Sequence, residues 1–180
     1  GGSGGPSSDL FISEYIEGSS NNKAIEVFNG TGSSVSLSNY SLKLYTNGGT
    51  SATSTLTLSG TLATNDVYVV ANSAANANIL AVDDVTNAVA NFNGNDAVGL
   101  YKNSTLIDLI GVIGTDPGTA WTGTAANGSG STINNTLVRT SSVSAPNATF
   151  TWSEWNAYAS DTTSYLGTHT FEGGSASGDI

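Results

Sequence analysis

Cysteine and methionine are both absent from the 180 residues. Without cysteine there is no disulfide, no zinc–thiolate centre and no thiol nucleophile. Charge is scarce as well: only 10% of residues are Asp, Glu, Lys or Arg, and the cations are Lys23, Lys43, Lys102 and Arg139. Fourteen acids stand against these four, for a net charge of −10. Direct nucleic-acid binding is therefore not expected, because phosphates need clustered Lys and Arg. Divalent cations, by contrast, would be attracted. His169 is the only histidine, which leaves little for proton transfer. No apolar run approaches the ~20 residues of a membrane span, and no signal-peptide pattern stands at the start. No window holds a 3.6-residue apolar stripe; the best helical candidate is the short Ala/Asn stretch Ser73–Leu80.

What is present is a β pattern. Hydrophobic residues make up 38% of the chain, and the length suits one domain burying roughly 70% of its unfolded surface. In "NYSLKLYT", Tyr40, Leu42 and Leu44 alternate with Ser41, Lys43 and Tyr45, as on a half-buried strand. "KAIEVFN" sets Ile25 and Val27 against Ala24, Glu26 and Phe28. "DLFISEYI", "DVYVVA", "DAVGLYK", "TLIDLIGVI", "NTLVRT" and "LGTHTF" supply further runs. Asn103-Ser104 is a hairpin-compatible link, and four Asn-Gly pairs (at 29, 47, 93 and 127) offer the positive φ of tight turns. Asp116-Pro117-Gly118 has the order of a type II turn. About eight short strands with turns between them predict an antiparallel β-sandwich. The Gly/Ser-rich segments 1–8 and 172–180 read as linkers, leaving a domain at 9–171, as in a module taken from a longer polypeptide. Few lysines and abundant Ser, Thr and Asn suggest a secreted or cell-surface setting.

"LFISEYIEGSSNNKAIEVFNGTG", "LSGTLATNDVYVVA", "FNGNDAVGLYK…LIDLIGVIGTDPGTAW" and "TLVRT…TWSEWNAY…TSYLGTHTF" follow one another in a specific order. Together they resemble the bacterial branch of the lamin-tail domain family. The resemblance runs from Asp9 to Phe171 and implies an immunoglobulin-like β-sandwich. It also implies an accessory, non-catalytic unit of secreted multidomain proteins, beside extracellular nuclease or phosphatase domains or in adhesin-like proteins. In animals the family is the globular tail of nuclear lamins, an interaction domain. The acidic charge here sets this chain apart from the lamin branch. Gly99, where the bacterial pattern usually has Ala, is read as a packing substitution.

The residues themselves offer several kinds of chemistry. A Ser-His-Asp triad would have to recruit His169 with a partner such as Asp161, and no G-x-S-x-G elbow marks a serine. A metal-dependent nuclease or phosphodiesterase wants clustered carboxylates with a proton carrier, whereas these acids are dispersed. Calcium is the stronger candidate, because it binds carboxylates, Asn oxygens and carbonyls in loops. Its candidate ligands are Glu14 and Glu26 (with Glu17 nearby), Asn93 and Asp96 in an Asn-rich loop, Asp116 at the next turn, and the pair Asp83-Asp84. No EF-hand framework is present. Glu26, half buried on its strand face, would want Lys23, Arg139 or a cation. Asp108, alone in an apolar strand, is expected to face solvent or pair with Lys102. Trp121 and Trp155, with Trp152, Tyr158 and Tyr165, raise sugar or peptide recognition, the first two as candidate ligand-binding residues. The resulting expectation is a non-catalytic module contacting other domains of its polypeptide, a protein or a glycan. A metal-dependent phosphodiesterase and a calcium-stiffened adhesin spacer are the alternatives.

Overall fold

The computed structural model describes residues 5–173; parts of both expected linkers lie outside the described residues. The strands run β1 (Phe11–Glu17), β2 (Lys23–Phe28), β3 (Val35–Ser36), β4 (Tyr40–Tyr45), β5 (Ser54–Thr57), β6 (Thr61–Leu62) and β7 (Val67–Ala71). The short helix α1 (Ala77–Leu80) follows, capped by the Asn76 side chain, which accepts from the Ile79 N–H. Then come β8 (Val85–Thr86), β9 (Ala97–Lys102), β10 (Thr105–Ile110), β11 (Thr122–Ala125), β12 (Gly128–Ser131), β13 (Asn135–Arg139) and β14 (Trp155–Ala159).

Two main sheets face each other. The larger has the order β14-β13-β1-β2-β7-β8 and the smaller β10-β9-β4-β5, with β11-β12 and β3-β6 as two-stranded ladders. All pairings are antiparallel except β7 with β8. Between the sheets lies the main core, where Ile12, Tyr15, Ile25, Val27, Val70 and Leu137 of the larger meet Leu42, Leu44, Val98, Leu100 and Ile110 of the smaller. These are the alternating positions of the sequence, as a sandwich requires. The fold is the expected all-β, immunoglobulin-like sandwich.

The larger sheet also buries its outer face. Phe11, Ile16, Ala24, Phe28 and Val69 pack there beneath Ile79, Leu166 and Phe171. That is why β1 and β2 are buried at every position, where alternation predicted a half-buried Glu26. Leu166–Phe171, expected as a strand, is irregular. It leaves a turn in which the Leu166 N–H donates to the Thr163 carbonyl, then Gly167 takes φ +98°, and it becomes a strap over this face. The sheet edge is β14 instead. Its free side is closed by Asn127, whose side-chain amide donates to the Ala157 carbonyl and whose oxygen accepts the Ala157 N–H.

Turn chemistry divides into two kinds. Asn103 (φ 49°) and Ser104 (φ 69°) both adopt the left-handed region between β9 and β10, as do Asn47 (53°) and Gly48 (76°). Asn93-Gly94 and Asn29-Gly30 do not, contrary to the turn expectation. Gly94 is needed because a Cβ there would lie 2.5 Å from Ile133 Cβ. Packing also rules at Gly99, where a Cβ would meet Leu106 at 2.8 Å. Near the two ends of the described residues, Ser7 N–H donates to the Gly30 carbonyl, Ser8 N–H to the Ser144 carbonyl and Glu172 N–H to the Ser141 carbonyl.

Candidate functional site

A bulge at Ser13, between the Ile12 and Glu14 registers, turns Glu14 onto the outer face of the larger sheet. There the strand registers align Asn156, Val138, Glu14, Glu26 and Val69 in one row. Glu14 and Glu26 are therefore immediate neighbours, and both are fully buried. Glu26 is partnered: its Oε1 accepts from Ser13 Oγ at 2.7 Å and its Oε2 from the Gly167 N–H of the strap at 2.7 Å. Neither Lys23 nor Arg139 reaches it. Glu14 has no partner on either oxygen. Burial, with the Glu26 charge beside it, raises Glu14 to about 9. Burial raises Glu26 to about 7, opposed by its hydrogen bonds to Ser13 and Gly167.

Beside this row the strap borders a half-open cavity of about 230 Å³, lined among others by Arg139, Asn156, Tyr158, Tyr165 and His169. His169 sits edge-on to Phe28 at 4.8 Å and to Phe11 at 5.8 Å, and neither ring nitrogen has a partner. Burial and then the Arg139 charge lower it to about 4, so the ring is neutral at pH 7. Arg139 grips Asp108 through two bonds (2.8 and 3.1 Å), the Ile12 carbonyl (2.8 Å) and Glu154 (2.8 Å). Its guanidinium lies over Trp155 at 4.5 Å, and its Nε–H is unpartnered.

Asp108 is thus neither exposed nor paired with Lys102, which goes to Asp9 at 3.0 Å. The β10 bulge between Leu106 and Asp108 turns it inward, where it also accepts from the Ile12 and Asn147 N–H groups. Trp155 is only 1% exposed and belongs to the core, so it cannot serve as a stacking platform. Trp121 is half-buried against Gly111, in the cluster of Tyr45, Tyr101 and Leu109.

The Asn-rich loop lies elsewhere. Asp96 accepts the Asn47 N–H and the Asn93 N–H, one on each oxygen (3.0 and 2.7 Å). The ammonium of Lys23 donates to Asn93 Oδ1 at 2.8 Å, where a calcium would seek that oxygen. Asp116 caps its own turn by accepting from Gly118 and receives Asn95 Nδ2 at 3.3 Å. Glu14 and Glu26 are brought together, as are Asn93 and Asp96, but the two sets do not meet. No group of three His, Asp or Glu among the described residues is disposed to hold a metal ion.

A sequence model described as Lamin Tail Domain matches residues 4–114. The chain belongs to the lamin tail domain family. No curated protein and no solved structure matches it. In this lamin tail domain the match ends at Gly114, whereas β13, β14 and the strap that completes the cavity follow it in the chain. An immunoglobulin-like fold of this family is consistent with a non-catalytic module. No helix among the described residues is long and apolar enough to cross a membrane.

Sequence reasoning missed Arg139 and His169 as neighbours. One signal was available: a lone arginine in an apolar strand must find carboxylates when buried. It did single out Tyr158 and Tyr165, which stack at the cavity with ring centroids 4.6 Å apart.

Proposed function

We propose that this lamin tail domain is a non-catalytic interaction module of a secreted or cell-surface bacterial protein. It contacts a protein or glycan partner, or positions a neighbouring domain of its own polypeptide. The observation that carries this reading is the fate of the acids. Asp96 is bonded to loop amides, Asp161 to Ser19 and Asn22, Glu26 to Ser13 and Gly167, and Asp108 to Arg139. Carboxylates so engaged hold loops and strands in place and are poor candidates for activating water or a metal.

The cations are engaged likewise. Lys23 lies on Asn93, Lys102 on Asp9 and Arg139 on Asp108, while Lys43 lies over the Tyr101 ring. A polyanionic partner finds no cluster of free positive charge, which favours neutral or basic partners. The purified chain is expected to turn over neither bis(p-nitrophenyl) phosphate nor plasmid DNA in magnesium, manganese or calcium. Turnover abolished by Glu14→Gln or His169→Ala would overturn the reading.

A further inference from the structure

We propose that Lys23 and Asn93 join through an intramolecular amide bond that ties the two sheets together. The inference goes beyond the interaction reading and does not depend on it. Its first support is the contact itself. Lys23 opens β2 of the larger sheet, and Asn93 stands in the loop leading into β9 of the smaller. Lys23 Nζ lies 2.8 Å from Asn93 Oδ1, across 70 positions of chain. An amine so placed stands beside the carboxamide carbon that it would attack.

Both partners are fixed in place. The Lys23 carbonyl accepts the Asn72 N–H, and the Asn93 N–H donates to Asp96 at 2.7 Å. The next residue is held as well: the Gly94 carbonyl accepts Thr132 Oγ at 2.7 Å.

The second support is a third group. In the β1–β2 register Glu17 stands directly opposite Lys23, so the two side chains share a face. Glu17 is 4% exposed and Lys23 6%. One Glu17 oxygen accepts the Asn134 N–H at 3.0 Å, and the other lies 4.0 Å from Lys23 Nζ. Hydrogen bonds of this kind commonly tighten only as a reaction proceeds. A lysine amine needs a base beside it to become a nucleophile, and a buried carboxylate is a stronger base than one in water.

Glu17 accepts one proton from the Lys23 ammonium. The Nζ–Cγ bond forms as the Cγ–Nδ2 bond of Asn93 breaks. Nδ2 leaves as ammonia with the proton that Glu17 returns, and the second proton lost by Nζ goes to water. Asn93 is exposed, which gives the ammonia a way out. Both side chains are consumed once, so the module still turns nothing over. The other lysines lack this setting. Lys102 meets Asp9 from a side chain 41% exposed, and Lys43 lies over the Tyr101 ring. In a chain without cysteine such a bond would be the covalent tie that a disulfide cannot supply.

The test is intact-mass spectrometry of the whole purified chain after prolonged incubation at neutral pH. The chain should be lighter than its sequence by about 17 Da, the mass of ammonia. Trypsin should leave Lys23 uncut and yield residues 1–43 joined to 44–102. Lys23→Met should keep the mass of its sequence. Glu17→Gln, shown by circular dichroism to be folded, should form the bond at least about a hundredfold more slowly. A wild-type chain that keeps its full mass overturns the proposal. So does a loss of ammonia that survives in Lys23→Met, which would mark a succinimide at Asn93-Gly94. Bond formation at the wild-type rate in folded Glu17→Gln overturns the route through Glu17.

Discussion

Replacing Glu14 by Gln should alter how stability responds to pH. Glu14 and Glu26 are adjacent and fully buried, and Glu14 has no hydrogen-bond partner. Its carboxyl is raised from an ordinary 4.5 to about 9 by burial and by the Glu26 charge. Between those values the folded protein keeps a proton that the unfolded chain releases, so stability falls as pH rises. It is highest below 4.5, and the loss is complete above about 9. Each pH unit in that window costs about 1.4 kcal/mol. From about pH 5.5 to about pH 8.5, Glu14 alone therefore removes about 4 kcal/mol. Glu26, raised to about 7, removes about 2 kcal/mol more before its own loss is complete. Such a loss is a large share of the 5–15 kcal/mol typical of a domain.

The other charged or titratable groups near this row are Asp84, Tyr158, His169 and Arg139. His169 acts in the opposite sense: lowered from 6.5 to about 4 on folding, it takes up its proton only in the unfolded chain near pH 5.5 and so gives back about 1.4 kcal/mol as pH rises to 8.5. Urea denaturation at the two pH values measures the effect. The wild type should lose about 4.5 kcal/mol and Glu14→Gln under about 1. The two proteins should unfold alike at the acid end. A flat wild-type profile, or the same slope in the Gln variant, would refute the argument that Glu14 is held protonated.

Two further outcomes are expected. Asp108→Asn strips the buried Arg139 of its bidentate partner and should cost about 3–5 kcal/mol in urea denaturation, whereas Lys102→Met, at a pair with a 41% exposed lysine side chain, should cost under about 1 kcal/mol; equal costs would contradict the inward placement of Asp108. Melting in millimolar calcium and in chelator should give the same midpoint, because Lys23 already donates to Asn93 and two amides already occupy Asp96. A midpoint raised by calcium would mean that a cation binds the native state.

The sandwich was readable because alternation in β4 records which side chain meets the core and short apolar runs between turn residues mark the other strands. The outer face of the larger sheet was not. Its cover is the irregular run Leu166–Phe171, and an irregular strap leaves no period in the sequence. For that reason Glu26 read as half buried. Asp108 and Arg139 are 31 positions apart and meet only because two strands from different sheets approach at the sandwich end. Neither bulge that aims Glu14 outward and Asp108 inward is announced by a glycine. The calcium reading of the Asn-rich loop followed from residue types, whose oxygens the fold commits to amides and a lysine.

The pairing of Asn127 with Ala157 also bears on how such modules coexist. An unprotected edge strand invites a neighbouring copy to extend its sheet, and strings of similar domains raise the local concentration at which that happens. On the β14 side one amide side chain occupies the place of the next strand, so copies brought side by side there meet a finished border.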